Sequence, residues 1–140
     1  MDDRPIGIFD SGVGGLTVVN ALVKNISSET IYYVGDTARV PYGNKSRERI
    51  QQYSEQIIDW LIKKDCKMVI VACNTASSLA IDYLQRKFSL PIIGVIDPGV
   101  QLAIKKTKSQ SIGVIGTYAT IQSNAYGKKL KSIRPEINIF

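Results

Sequence analysis

The sequence predicts an α/β fold: a doubly wound, mainly parallel sheet flanked by helices. Three observations predict it. Short strands that are apolar throughout recur along the 140 residues, as strands covered on both faces do. Each is followed by a segment of helical period. Polar residues gather where the strands end and are nearly absent inside them.

Ile6-Gly7-Ile8-Phe9 reads as the first buried strand, followed by the loop Gly12-Val13-Gly14-Gly15 and an apolar helix from about Leu16 to Val23. Ile31 to Val34 is the second strand. Ser46 is placed as a helix N-cap with Glu48 in the first turn. The helix that follows carries Ile50, Tyr53, Ile57 and Leu61 on one face. Met68 to Ala72 is the third strand, and a helix bearing Leu79, Tyr83 and Phe88 comes next. Ile92 to Ile96 and Ile112 to Ile115 are the fourth and fifth strands, each with a short helix after it. Ile137 to Phe140 reads as the start of a sixth. With no linker or low-complexity tract in between, residues 1–140 are expected to form one α/β domain. The strand begun at 137 suggests a chain interrupted before a second half.

Composition narrows the function. The hydrophobic share is 44% and the charged share 21%, ordinary values for a globular protein and outside the composition of disordered chains. No apolar run approaches the roughly 20 residues that cross a bilayer. The opening Met1-Asp2-Asp3-Arg4-Pro5 lacks the basic start and apolar stretch of a secretory signal, so a cytoplasmic protein without a membrane partner is expected. The net charge of +6 comes from scattered lysines, with no dense basic run and no interleaved aromatics. A nucleic-acid partner is therefore not expected.

Two cysteines and no histidine are the most restrictive facts. Cys66 and Cys73 lie seven positions apart along one strand, roughly 23 Å at about 3.3 Å per residue. A disulfide needs Cα atoms within about 7 Å. Pairing is excluded, a zinc site is disfavoured, and a Ser-His-Asp or Cys-His pair within the chain is impossible. No metal site is expected.

In open α/β sheets ligands bind beyond the carboxyl ends of the strands. The residues leaving the strands are Asp10-Ser11, Asp36-Thr37, Cys73-Asn74-Thr75, Asp97-Pro98 and Thr117. Each could be a cap or a turn residue whatever the function. All five together point to a polar small-molecule site. The loop after the first strand begins like a dinucleotide fingerprint, but Thr17 stands where the third glycine belongs. Its backbone N–H groups can still serve an anion, a carboxylate as readily as a phosphate. Cys66 reads as a small core residue. Cys73 differs: it leaves a strand where a helix begins, a setting that favours the reactive thiolate.

These residues fall into blocks: Asp10-Ser11-Gly12-Val13-Gly14-Gly15-Leu16, Gly35-Asp36, Pro41-Tyr42-Gly43, Ala72-Cys73-Asn74-Thr75-Ala76-Ser77 and Gly94-Val95-Ile96-Asp97-Pro98-Gly99. In order and spacing the chain resembles the glutamate racemases of the aspartate/glutamate racemase superfamily. The resemblance implies two similar α/β domains with glutamate between them, each domain giving one catalytic cysteine, and no cofactor. It implies racemisation of L- and D-glutamate by two-base proton transfer at Cα, supplying D-glutamate for peptidoglycan. Cys73 matches the first catalytic cysteine, which acts on the D-enantiomer, and Asp10 matches the aspartate that assists it. Asp10, Ser11, Pro41, Tyr42, Gly43, Asn74 and Thr75 match substrate-contacting positions, and Thr117 and Thr120 match later ones. The second cysteine and its histidine have no counterpart in the chain. Three consequences are expected. The chain alone racemises poorly or not at all, or it pairs two copies as a homo-oligomer, or it is a catalytically incomplete ligand-binding α/β domain.

Overall fold

A strand with helices against both faces has no polar side to show, and Ile6–Asp10 is buried at all five positions. In the computed structural model, which describes residues 2–140, this strand (β1) lies between β2 (Ile31–Gly35) and β3 (Met68–Val71). β4 (Ile92–Gly94) lies outside β3. All three pairings are parallel, with Asp10 opposite Gly35 and Phe9 opposite Val71. Alternate residues serve opposite faces. Ile6 and Ile8 pack with Val18, Val19 and Leu22 of α1 (Leu16–Asn25). Phe9, Val69 and Val71 share the larger core with Ile50, Ile57, Ile58 and Leu61 of α2 (Arg47–Lys63). Gly7 brings α2 close, since a Cβ there would stand 2.9 Å from Leu61 Cδ1. The Ser46 cap forms as expected, its Oγ accepting from the Arg49 N–H at 3.3 Å.

Three features depart from the sequence reading. The helix expected to carry Leu79, Tyr83 and Phe88 is two helices, α3 (Asn74–Leu79) and α4 (Ile81–Lys87), with Phe88 closing the second. The break lies where the Leu79 carbonyl accepts from Arg47 Nη1 at 2.9 Å and Gln51 Nε2 at 3.4 Å, both on α2. The fourth strand ends at Gly94, and α5 (Ile96–Lys106) begins two residues later. Pro98 fits the first turn of α5, where an N–H has no helical partner to lose.

The third departure is the largest. β5 (Ser111–Ile112) and β6 (Asn138–Ile139) do not extend the first sheet but form a separate parallel pair. Val114 N–H donates to the Phe140 carbonyl as the last rung, and Ile115, expected inside the strand, is 98% exposed. This pair has its own core, Ile96, Val100, Leu130 and Ile137, built from α5 and α7 (Ala125–Ile133). The single continuous sheet expected from the sequence is thus two sheets, the first with a core on each face and the second with a core of its own. No helix among the described residues is long and apolar enough to cross a membrane.

Candidate active site

β1 and β3 are neighbours and parallel, so their carboxyl ends open at the same place. There a cavity of about 360 Å³ is lined by Asp10, Ser11, Gly14, Thr17, Val18, Ala72, Cys73, Asn74, Thr75, Val95 and Thr117. The first nine come from the four-stranded unit. Thr117 caps α6 (Tyr118–Ser123), which follows β5 along the chain and packs on the first core through Ala119.

Cys73 is the N-cap of α3, with extended backbone and its Sγ accepting from the Ala76 N–H at 3.5 Å. Its thiol reaches Ser11 Oγ at 3.6 Å. The residue is only 4% exposed, so the sulfur meets a small molecule in the cavity rather than bulk solvent. Asp10, 8% exposed, ends β1 with one carboxylate oxygen, Oδ2, accepting from the Gly12 and Gly15 N–H groups at 3.1 Å each. Only glycine fits at position 15, where a Cβ would lie 2.6 Å from Asp10 Cβ and 3.1 Å from Ala72 Cβ.

A line of hydroxyls forms the opposite wall. Thr75 Oγ1 is 2.9 Å from Thr117 Oγ1, which is 3.0 Å from Thr120 Oγ1. Thr120 is buried behind Thr117 and does not line the cavity. Asn74 Oδ1 accepts from the Tyr126 hydroxyl of α7 at 2.6 Å, a link from the first unit to the second core, against which Tyr126 packs. Burial pushes the Tyr126 phenol above its ordinary pKa, so it stays a donor at neutral pH.

The Pro41-Tyr42-Gly43 block takes a different place. Val40-Pro41 is a cis peptide, and neither Pro41 nor Tyr42 lines the cavity. Tyr42 is buried in the first core, with its hydroxyl donating to the Asp36 carboxylate. Burial, then that carboxylate, push its phenol well above the usual range. Asp36 also accepts from Arg39 Nε at 2.9 Å, and the Arg39 guanidinium lies 4.3 Å over the Tyr53 ring. Gly43 touches the site through Thr117, since a Cβ there would stand 2.7 Å from Thr117 Cβ. Of the five strand exits, those of β1 and β3 and Thr117 converge. Asp36 turns into its own ion pair. Asp97 falls inside the first turn of α5, where it is exposed and pairs with Lys129 at 2.9 Å.

The sequence reading gave no site role to Thr17, Val95, Tyr126 or Tyr33, whose hydroxyl donates to the Gly12 carbonyl at 2.8 Å. Tyr33 carried only a weak signal, because its neighbour Tyr32 in the same strand has a hydroxyl too. Tyr126 carried none, because its partner is 52 residues away. No lysine or arginine lines the cavity. Any carboxylate bound there must be held by hydroxyls and N–H groups. Among the described residues no three cysteine, aspartate or glutamate side chains gather as a metal site would require.

The fold and site define a class: an α/β protein with a buried thiol and a carboxylate at adjacent strand ends, facing a small polar cavity. The Asp/Glu/Hydantoin racemase family model matches residues 6–138, and the chain belongs to that family. It is 51% identical over 136 residues to the glutamate racemase of Geobacter metallireducens, covering 97% of this chain and 50% of that protein. Among solved structures it is similar to a glutamate racemase of Bacillus anthracis, with TM-score 0.95 and 43% identity over 99% of this chain and 52% of the other. The glutamate racemase of Francisella tularensis in complex with D-glutamate is similar too, with TM-score 0.91 and 45% identity over 100% of this chain and 52% of that one. The chain spans about half the length of the curated relatives it matches.

Proposed function

We propose that this chain supplies the first-base half of a cofactor-independent glutamate racemase, with Cys73 taking the Cα proton from D-glutamate and Asp10 assisting it. The observation that carries the reading is the meeting of Cys73, Asp10, Ser11, Asn74, Thr75 and Thr117 around one cavity of amino-acid size. The glutamate racemase names of its relatives support it.

The chemistry follows from the groups present. A Cα proton beside a carboxylate leaves only if a base is held against it and the developing charge is met by donors. Cys73 in its thiolate form is that base. The Ser11, Thr75 and Thr117 hydroxyls, with N–H groups of the Gly12–Gly15 loop and the start of α3, are the donors for the two carboxylates. Inversion requires a second acid on the opposite face of Cα. Cys66 does not serve, because it is buried in the first core beyond the other end of β3. The second acid is therefore supplied by residues outside the 140, whether a further domain or another copy. The D-glutamate produced would enter peptidoglycan.

Proton NMR of D- and L-glutamate in heavy water tests the reading, with Cys73→Ala as control. Loss of the Cα–H signal from D-glutamate, dependent on Cys73 and without inversion, is the expected result. Inversion would add a second acid from self-association. No exchange from either enantiomer, with binding retained, would replace the reading by that of a binding domain. The single cysteine in the cavity is the observation that favours this alternative.

A further inference from the structure

Asp10 is held by a loop, and a loop of glycines does not hold itself. The Gly12–Gly15 segment donates two N–H groups to Asp10 Oδ2, so the direction of the carboxylate depends on where those amides stand. Glycine restrains them least of all residues. Something outside the loop must fix it.

That contact is the Tyr33 hydroxyl, which donates to the Gly12 carbonyl at 2.8 Å from the middle of β2. Two glycines, one on β2 and one in the loop itself, clear space for this contact. A Cβ on Gly35 would meet the Gly12 carbonyl oxygen at 2.4 Å and Tyr33 Cε1 at 3.3 Å. A Cβ on Gly15 would meet the Tyr33 hydroxyl at 3.0 Å. Tyr33 does not line the cavity. We infer that Tyr33 is a positioning residue for the half-reaction, fixing Gly12 so that Asp10 faces the cavity beside Cys73. This rests on the proposed roles of Asp10 and Cys73 for its catalytic meaning, but its geometry stands apart from them. Burial, then the Asp10 carboxylate and the Cys73 thiol, push the Tyr33 phenol above its ordinary pKa. Tyr33 therefore remains a protonated donor through the neutral range.

The structural alternative, that Tyr33 merely fills space, is separable from positioning. Tyr33→Phe keeps the ring and deletes the donor. The readout is the rate of Cys73 alkylation by iodoacetamide between pH 6 and 9, located by mass spectrometry, which needs no turnover. The titratable groups around Cys73 are Asp10, Tyr33 and Tyr42, and only Asp10 is a carboxylate at the cavity. Asp10→Asn, which removes the one carboxylate that lines the cavity with the sulfur, speeds alkylation at neutral pH. Tyr33→Phe, by releasing Asp10, moves the profile the same way by a smaller factor, about threefold, and adds nothing in the Asp10→Asn background.

An unchanged profile in Tyr33→Phe, or an effect that persists in full beside Asp10→Asn, overturns the inference. Hydrogen exchange on the parent chain gives a reading that needs no variant. Protected Gly12 and Gly15 amides are expected, and exchange there at unfolded rates overturns the cradle itself. Failure of D-glutamate exchange with these outcomes intact would sink the racemase reading and leave the Tyr33 role standing.

Discussion

The two cysteines flank the same strand, carry free thiols and belong to one buried core cluster, yet their polar neighbours differ. Cys66, 5% exposed, packs in the large core with Ile57, Leu61 and Val69, and burial pushes its thiol above the ordinary range. Cys73, 4% exposed, has the Ser11 hydroxyl and the Ala76 N–H within reach and a cavity beside it. Equal exposure therefore does not mean equal surroundings. The difference is made by which end of a parallel strand each occupies, since only the carboxyl end meets a helix N-terminus and the neighbouring strand's exit.

Function should divide the two most sharply. Cys73→Ala is expected to cut Cα–H exchange from D-glutamate by about a hundredfold or more, the scale of a lost general base. Cys66→Ala should leave exchange of the folded chain within about twofold, and equal losses in the two variants would erase the distinction. Alkylation of the native chain should run at Cys73 at least about tenfold faster than at Cys66, the two converging in urea. Comparable native rates would mean that the first core opens as readily as the cavity.

Stability should reverse the order. Gly7→Ala, which drives a methyl group into Leu61 beneath the Cys66 core, should cost about 1–3 kcal/mol by urea denaturation. A pH effect follows from Cys66 as well. Its thiol titrates higher folded than unfolded, so the protonated form stabilises the fold below the ordinary thiol pKa. That contribution is lost as pH rises above it. The parent should therefore lose more stability than Cys66→Ala between pH 7 and 10, and parallel losses would show the burial to be inconsequential. The smallest effect concerns Ser54 on α2, whose buried hydroxyl finds no partner among the described residues. Ser54→Ala should raise stability by about 1 kcal/mol, whereas a loss would reveal a partner for the hydroxyl.

Much of this was legible in the residues. The first four strands and α1 and α2 follow from runs such as Met68–Val71 and from the spacing of Ile50, Ile57 and Leu61. Cys73 stood out because a strand exit followed by Asn74 and Thr75 is a recognisable local pattern, and the motif blocks raised Asp10 and Ser11 with it. The break between α3 and α4 was not legible, because its cause is Arg47 and Gln51 reaching the Leu79 carbonyl from another helix. Nor was the fate of Tyr42, which leaves the cavity for Asp36.

The sequence by itself determined the first three strands, α1 and α2, and which end of each strand carries polar groups, because periodicity and capping act over a few residues. Only the tertiary structure decided that β5 and β6 leave the first sheet, that Thr117 faces Cys73 across a cavity, and that Tyr33 holds Gly12. Those outcomes rest on contacts between residues from 21 to more than 40 positions apart, and no local preference along a chain encodes a distance across it.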